Sequence, residues 1–192
     1  MARRARRRFR GGRVVDIGGG HGLLAHVMLL LDDSSPSAVV VDPALPSSSA
    51  AVHDTLVAAW PRLAGRVVFL RVALEDAELH DDDVVVSSHA CGTLTDRILT
   101  RAAAARARVA VLPCCHDVET CDAGSLQGWV DLALAIDIGR AHRLETAGYT
   151  VWTQTIPSAI TPKNRLLLGA LPAPRTGRVT PGPGRGKTPS RR

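Results

Sequence analysis

The sequence predicts an α/β fold built on a mostly parallel sheet. From Val14 onward, short Val/Ile/Leu runs alternate with longer helix-like stretches, which is the rhythm of βαβ units. Apolar residues make up 45% of the chain and aromatics only 3%, so the core must consist of Val, Leu, Ala and Ile, as suits strands covered on both faces by helices. A length of 192 residues fits one domain of ordinary size and would leave two cramped.

Seven strands are predicted: Val14–Ile17, Ala38–Val41, Val67–Leu70, Val84–Ser88, Val109–Pro113, Thr150–Ile156 and Arg165–Leu168. Helices are expected at about Gly22–Leu31, Ser47–Trp60, Thr93–Ala107 and Asp131–Ala147, the last closed by Gly148. Right-handed crossovers make the first five strands parallel. No helix-length segment separates the sixth strand from the seventh, so these two should form an antiparallel hairpin through the loop 157–164. The result is a Rossmann-like, seven-stranded, mostly parallel sheet with an antiparallel last strand. It would occupy residues 14–170.

Charge divides the chain further. Residues 1–13 carry seven Arg and no acid, and residues 171–192 carry five Arg, one Lys and no acid. With those 13 of 24 basic residues set aside, 11 basic residues face 18 acidic ones in the body, which is therefore acidic. The N-terminal stretch reads as a solvated, mobile basic arm and the C-terminal stretch, rich in Pro, Gly and Ser, as a disordered basic tail. Such arms suit RNA through salt-sensitive phosphate contacts; solubility is the plainer account.

Two of the four cysteines are the adjacent Cys114 and Cys115, a spacing that disfavours a stable disulfide between them and fits reduced thiols in the cytoplasm. The Arg-rich start has no apolar stretch behind it, and no window approaches 18 apolar residues, so neither a signal peptide nor a membrane span is expected. Nothing in the residues speaks to oligomeric state.

The strongest local signal follows the first strand, where Asp16-Ile17-Gly18-Gly19-Gly20-His21-Gly22 leads into an apolar helix. Glycines there let the backbone approach a ligand closely, and the helix start favours a carboxylate or phosphate. Gly18-x-Gly20-x-Gly22 is not the G-x-G-x-x-G of dinucleotide sites, and an acid at position 16 suits a ligand with an ammonium group better than a pyrophosphate. S-adenosylmethionine has such a group. Asp42, at the tip of the second strand, could accept both ribose hydroxyls, and Leu74 with Glu75 after the third strand could hold the adenine, although Glu75 would serve equally well in a solvated acidic turn.

Three segments together resemble a branch of class I S-adenosylmethionine-dependent methyltransferases: Val14 to Gly22, then Ser88-His89-Ala90-Cys91-Gly92 with Thr95-Asp96, then Pro113-Cys114-Cys115-His116-Asp117. That branch has a His-x-Cys-Gly segment after strand four and a Cys-Cys-His or Cys-Cys-Tyr segment after strand five. It includes eukaryotic tRNA 2′-O-methyltransferases and a bacterial set that residues 156–169 are similar to. The resemblance spans roughly 14–170 and implies the fold and the cofactor, with Ser88 beside it. Many members have a helix or domain before the first strand, in place of 13 Arg-rich residues.

In a parallel sheet, residues just after strands four and five share one rim with the glycine loop. An oxygen or nitrogen acceptor that must lose a proton needs a base, a task suited to histidine as a residue type, so His89 or His116 is the expected base with Asp96 or Asp117 to orient it. Lys163 and Asn164 should reach the same rim from the last loop.

Two further chemistries compete, and a dehydrogenase is a third reading of the glycine loop. The cysteines invite comparison with RNA cytosine-5 methyltransferases, whose motifs are not matched. A zinc site drawn from His89, Cys91, Cys114, Cys115, His116 and Cys121 is compatible in ligand type, but adjacent ligands lack the loop-closing spacing of a zinc finger, so no metal is expected. A cofactor-binding protein without catalysis is the alternative from another class, and a polar rim on two strands would be superfluous in it.

Overall fold

Runs such as Val14–Ile17 and Val84–Ser87 are buried at every position, so both faces of those strands need cover. A computed structural model of the chain describes residues 1–117 and 119–173. It provides the cover with helices on both sides of a seven-stranded sheet.

The elements are α1 (Ala2–Arg8), β1 (Val14–Ile17), α2 (Leu23–Leu30), β2 (Ala38–Val41), α3 (Ser49–Ala59), β3 (Val67–Leu70), β4 (Val84–Ser87), α4 (Thr93–Ala104), β5 (Arg108–Val111), α5 (Leu132–Thr146), β6 (Thr150–Thr155) and β7 (Arg165–Ala170). The strand order is β3-β2-β1-β4-β5-β7-β6. β1 to β5 are parallel, and β7 runs antiparallel to both β5 and β6. This is the predicted sheet, with edges that differ from expectation by a residue or two. Asp16 pairs with Val40 on one side and Val86 on the other, so the glycine loop leaves the sheet where the strand order reverses. That is where open α/β sheets bind ligands.

Two apolar layers flank the sheet. α2 presses Ala25, Met28 and Leu29 onto one face, while α4 presses Ile98, Leu99 and Ala102 onto the other. Asp131 caps α5 by accepting the N–H of Leu134 at 3.0 Å, and Gly148 ends the segment with φ of +86°. The hairpin loop is closed by Asn164, whose Nδ2 donates to the carbonyl of Ile156 at 2.9 Å. Among the described residues, no helix is long and apolar enough to cross a membrane.

The N-terminal stretch corrects the expectation of a mobile arm. Residues 2–8 are helical, and Ala5 and Phe9 are buried in the layer beside α2. The Phe9 ring meets Trp152 of β6 edge-on at 6.1 Å between centroids, with the Arg8 guanidinium 4.9 Å from that indole ring. Arg6 is buried too. Its Nε donates to the carbonyl of Met28 at 3.0 Å and its Nη1 pairs with Asp32 at 3.3 Å. The basic composition masks an apolar stripe, Ala2, Ala5 and Phe9, at helical spacing. A helix therefore does precede β1. Of the expected disordered tail 171–192, residues 174–192 lie outside the described residues.

Candidate functional site

The loop after β1 is built from glycine for two distinct reasons. A Cβ on Gly19 would stand 2.8 Å from both the Asp16 carboxyl carbon and Val40 Cγ1, so packing excludes a side chain. One on Gly22 would meet Val40 and the Phe69 ring at 2.8–3.0 Å. Gly20 has φ of +52°, with nothing within 4 Å of where its Cβ would be, so there the backbone itself faces open space. The loop is fixed at both ends: Gly18 N–H donates to the Val41 carbonyl at 2.8 Å and Gly20 N–H to Asp42 Oδ2 at 3.0 Å.

A cavity of about 230 Å³ opens over this loop, lined by Asp16, Gly18, Gly19, Gly20, His21, Leu23, Leu24, Ser88 and His89. It joins the end of β1 to the end of β4 across the reversal point. Asp16 is 1% exposed, and its Oδ2 accepts the N–H of Ala25 at 3.1 Å. Burial pushes its carboxyl up to about 7; the Ala25 N–H opposes this and the nearby Asp42 carboxylate reinforces it. A buried acid at the mouth of a cavity, short of countercharge, suits a cationic ligand group.

The other residues expected around a cofactor are placed less directly. Asp42 accepts from Gly20 and, at 2.8 Å, from Ala44, so it shapes the loop from behind. The Leu74 side chain is 4% exposed and packs in the core. Glu75 lies on an exposed turn in an ion pair with Arg97 of α4, which holds its carboxyl below the usual range. A larger cavity of about 930 Å³ lies between α5 and the β6/β7 hairpin and shares no lining residue with the first.

Of the four residues expected to share proton chemistry, only His89 lines the loop cavity. His116 is turned toward α5, where its Nε2 lies 2.8 Å from Asp137 Oδ1. Its Nδ1 is buried with no hydrogen-bond partner among the described residues. The expected orienting acids serve elsewhere. Both Asp96 oxygens are held by the wholly buried Arg140, from Nε at 3.2 Å and Nη2 at 2.7 Å, with Arg143 alongside. Asp117 accepts the Glu119 N–H at 3.1 Å and the Thr120 hydroxyl at 2.6 Å, closing its own turn.

The residues that organise this rim, Asp137, Arg140 and Arg165, escaped sequence reasoning. Asp137 accepts from Arg140 at 3.2 Å and Arg165 at 2.7 Å besides facing His116, while Arg140 also donates to the Gly92 carbonyl at 2.9 Å. The available signal was a charged i, i+3 pair, Asp137 and Arg140, set in the apolar run of α5.

Three thiols converge beside His89. The sulfurs of Cys91, Cys114 and Cys115 all lie within 4.8 Å of one another, with Cys91 and Cys114 3.2 Å apart. Its hydrogen bond to Cys114, then burial, then Cys115 push the Cys91 thiol up to about 12. A nucleophilic thiolate requires the opposite shift. Cys121 sits apart, its sulfur 3.6 Å from Arg140 Nη2.

A sequence profile of the family described as "Methyltransferase domain" matches residues 1–120. No curated protein matches the sequence at a significant level. Among solved structures, the chain is similar to an O-methyltransferase family protein from Burkholderia thailandensis, at 18% identity and a TM-score of 0.55 over 87% of this chain and 52% of the other. It is also similar to a ribosomal protein L11 methylase from Lactobacillus delbrueckii subsp. bulgaricus, at 14% and 0.57 over 88% and 76%. A third is an O-methyltransferase from neocarzinostatin biosynthesis in complex with S-adenosylmethionine and 2-hydroxy-5-methyl naphthoic acid, at 23% and 0.54 over 83% and 49%. Identities this low speak for the fold alone. The chain spans about half the length of the first and third of these proteins.

Proposed function

Because this chain belongs to the methyltransferase-domain family, we propose that it transfers a methyl group from S-adenosylmethionine to an acceptor at the rim formed by the loops after β4 and β5. One observation carries the reading: a buried carboxyl, Asp16, raised to about 7, faces a cavity shared by the glycine loop and by Ser88 and His89. When bound, the cofactor supplies an electrophilic methyl group on a sulfonium.

The residues present fit it. Asp16 would hold the ammonium group, and the open side of Gly20 lets the backbone come within contact of the nucleoside. Asp42, fixed by the Gly20 and Ala44 amides, stands at the tip of β2 for the ribose hydroxyls. The turn carrying Leu74 and Glu75 is the place for the adenine edge, with the main chain in the leading role, since Leu74 is packed inward and Glu75 is paired with Arg97. His89 is the base for an acceptor that must lose a proton, because it lines the cavity. His116, anchored by Asp137, holds the rim in shape.

The acceptor is a finer reading. RNA is supported by the resemblance to tRNA 2′-O-methyltransferases and by the arginines that α1 leaves exposed, Arg3, Arg7 and Arg8, with Arg10 just beyond it. The structural neighbours include O-methyltransferases and a methylase named for a ribosomal protein, so the fold does not choose an acceptor. Titration with S-adenosylhomocysteine tests the cofactor. Transfer of a radiolabelled methyl group to RNA, protein or small-metabolite fractions tests the enzyme and sorts the acceptors. Binding without transfer to any fraction would leave the non-catalytic alternative standing.

A further inference from the structure

We propose that Cys91, Cys114 and Cys115 form a binding site for a thiophilic closed-shell cation, Zn²⁺ in the first instance, with the fourth coordination position open to solvent. The site does not depend on methyl transfer, since its ligands are separate from those proposed for the cofactor.

The spacing in the chain argues against such a site and the fold removes the objection. Adjacent Cys114 and Cys115 close no loop by themselves, but Cys91 arrives from the neighbouring strand end. The Gly92 N–H donates to the Cys115 carbonyl at 3.1 Å, which ties the two loops together at the cluster. The three sulfurs fall within 4.8 Å of one another. Tetrahedral zinc with Zn–S bonds of about 2.3 Å sets its sulfurs about 3.8 Å apart. Cys91 and Cys114, at 3.2 Å, need only open by a few tenths of an ångström.

Access and charge also fit. Cys91 and Cys115 are exposed, so an ion can enter and a water can complete the tetrahedron. Three protein ligands with one open position is the coordination of zinc sites that act on a fourth ligand. Binding converts three thiols to thiolates, three protons pass to water, and no electron is transferred. Three thiolates around a dication leave one net negative charge, and the 12-residue helix α4 begins two residues after Cys91, with the positive end of its dipole at the cluster.

The test uses the full chain, reduced and stripped with a chelator. Titration with Co²⁺ should give the charge-transfer absorption of cobalt–thiolate bonds and the visible bands of a four-coordinate ion, both abolished by Zn²⁺. Cys91→Ser, Cys114→Ser and Cys115→Ser should each weaken zinc binding by about 100-fold or more, beyond the loss caused by removing a merely supporting group. Cys121→Ser should leave binding unchanged. A second measurement needs no variant: zinc should protect Cys91, Cys114 and Cys115 of the wild-type chain from alkylation, mapped by mass spectrometry. The proposal is overturned if reduced protein shows no cobalt–thiolate band, or if Cys91→Ser keeps wild-type zinc affinity. It is equally overturned if two of the three thiols are protected without metal and released by a reductant, which would identify a disulfide.

Discussion

Asp16 accepts the main-chain N–H of Ala25 at 3.1 Å, and this one hydrogen bond is all that the buried acid of β1 receives from α2. It does not offset burial, so the carboxyl stays near 7.

The pH dependence of the unliganded protein follows from that value. The folded pKa lies above the ordinary carboxyl value of 3.8, so between these two values the folded state holds a proton that the unfolded chain has lost. Stability should therefore fall as pH rises from about 4 to 7 and level off above, by at most about 4 kcal/mol. Asp16→Asn should remove that slope in urea titrations. If Asp16 holds the ammonium group as proposed, binding needs its carboxylate, so affinity measured by calorimetry should rise with pH up to about 7, and Asp16→Asn should bind weakly at every pH. A parallel pH profile in the variant would refute the ammonium assignment.

Two neighbouring glycines should fail in different ways. Gly19→Ala forces a methyl group against Asp16 and Val40, and should lower stability by roughly 1–3 kcal/mol in denaturant titration. Gly20→Ala meets no atom and should cost only about 1 kcal/mol, for its positive φ, yet it should weaken S-adenosylhomocysteine binding at least as much. Equal stability losses with unchanged affinity would mean that the cavity is not the cofactor site.

The two rim histidines should separate in single-turnover methyl transfer. His89→Ala should slow the step by roughly 100-fold with cofactor affinity kept, the size expected for loss of a general base. His116→Ala should change the rate little but lower the melting temperature, since it leaves Asp137 without one of its partners. The reverse pattern would move the base to His116 and its buried, unpaired Nδ1.

Arg140 should be the most sensitive position on α5. Arg140→Met leaves Asp96 and Asp137 short of countercharge and the Gly92 carbonyl without its donor, at a cost of about 3–5 kcal/mol. Arg140→Lys should recover only part of this, because an ammonium cannot reproduce the two-nitrogen grip on Asp96. Chemical denaturation of both variants gives the comparison.

The sheet was legible because period and burial agree: a strand such as Val84–Ser87, buried at all four positions, has one plausible place in the fold. The glycine loop was legible because Gly20 and Asp16 are unusual residues with a local cause. Side-chain partnerships between distant elements were not legible. Asp96 looks like any acid at a helix start, and its partner Arg140 lies 44 residues away. The N-terminal helix was hidden for a different reason: charge density dominates composition, while its apolar docking rests on the sparse residues Ala5 and Phe9.

The full docking of that helix also has to wait on synthesis. Arg4 hydrogen-bonds Gln154 at 3.1 Å across 150 residues of chain, and Phe9 rests against Trp152 of the same strand. At elongation rates of about 5–20 residues per second, α1 waits roughly 8–30 s on the ribosome before β6 exists to receive it. During that interval its apolar stripe is uncovered on the β6 side, and the five Arg between Ala2 and Arg8 keep a nascent amphipathic segment soluble. The same arginines that obscure the helix in the sequence thus act as its escort until the last hairpin closes over it.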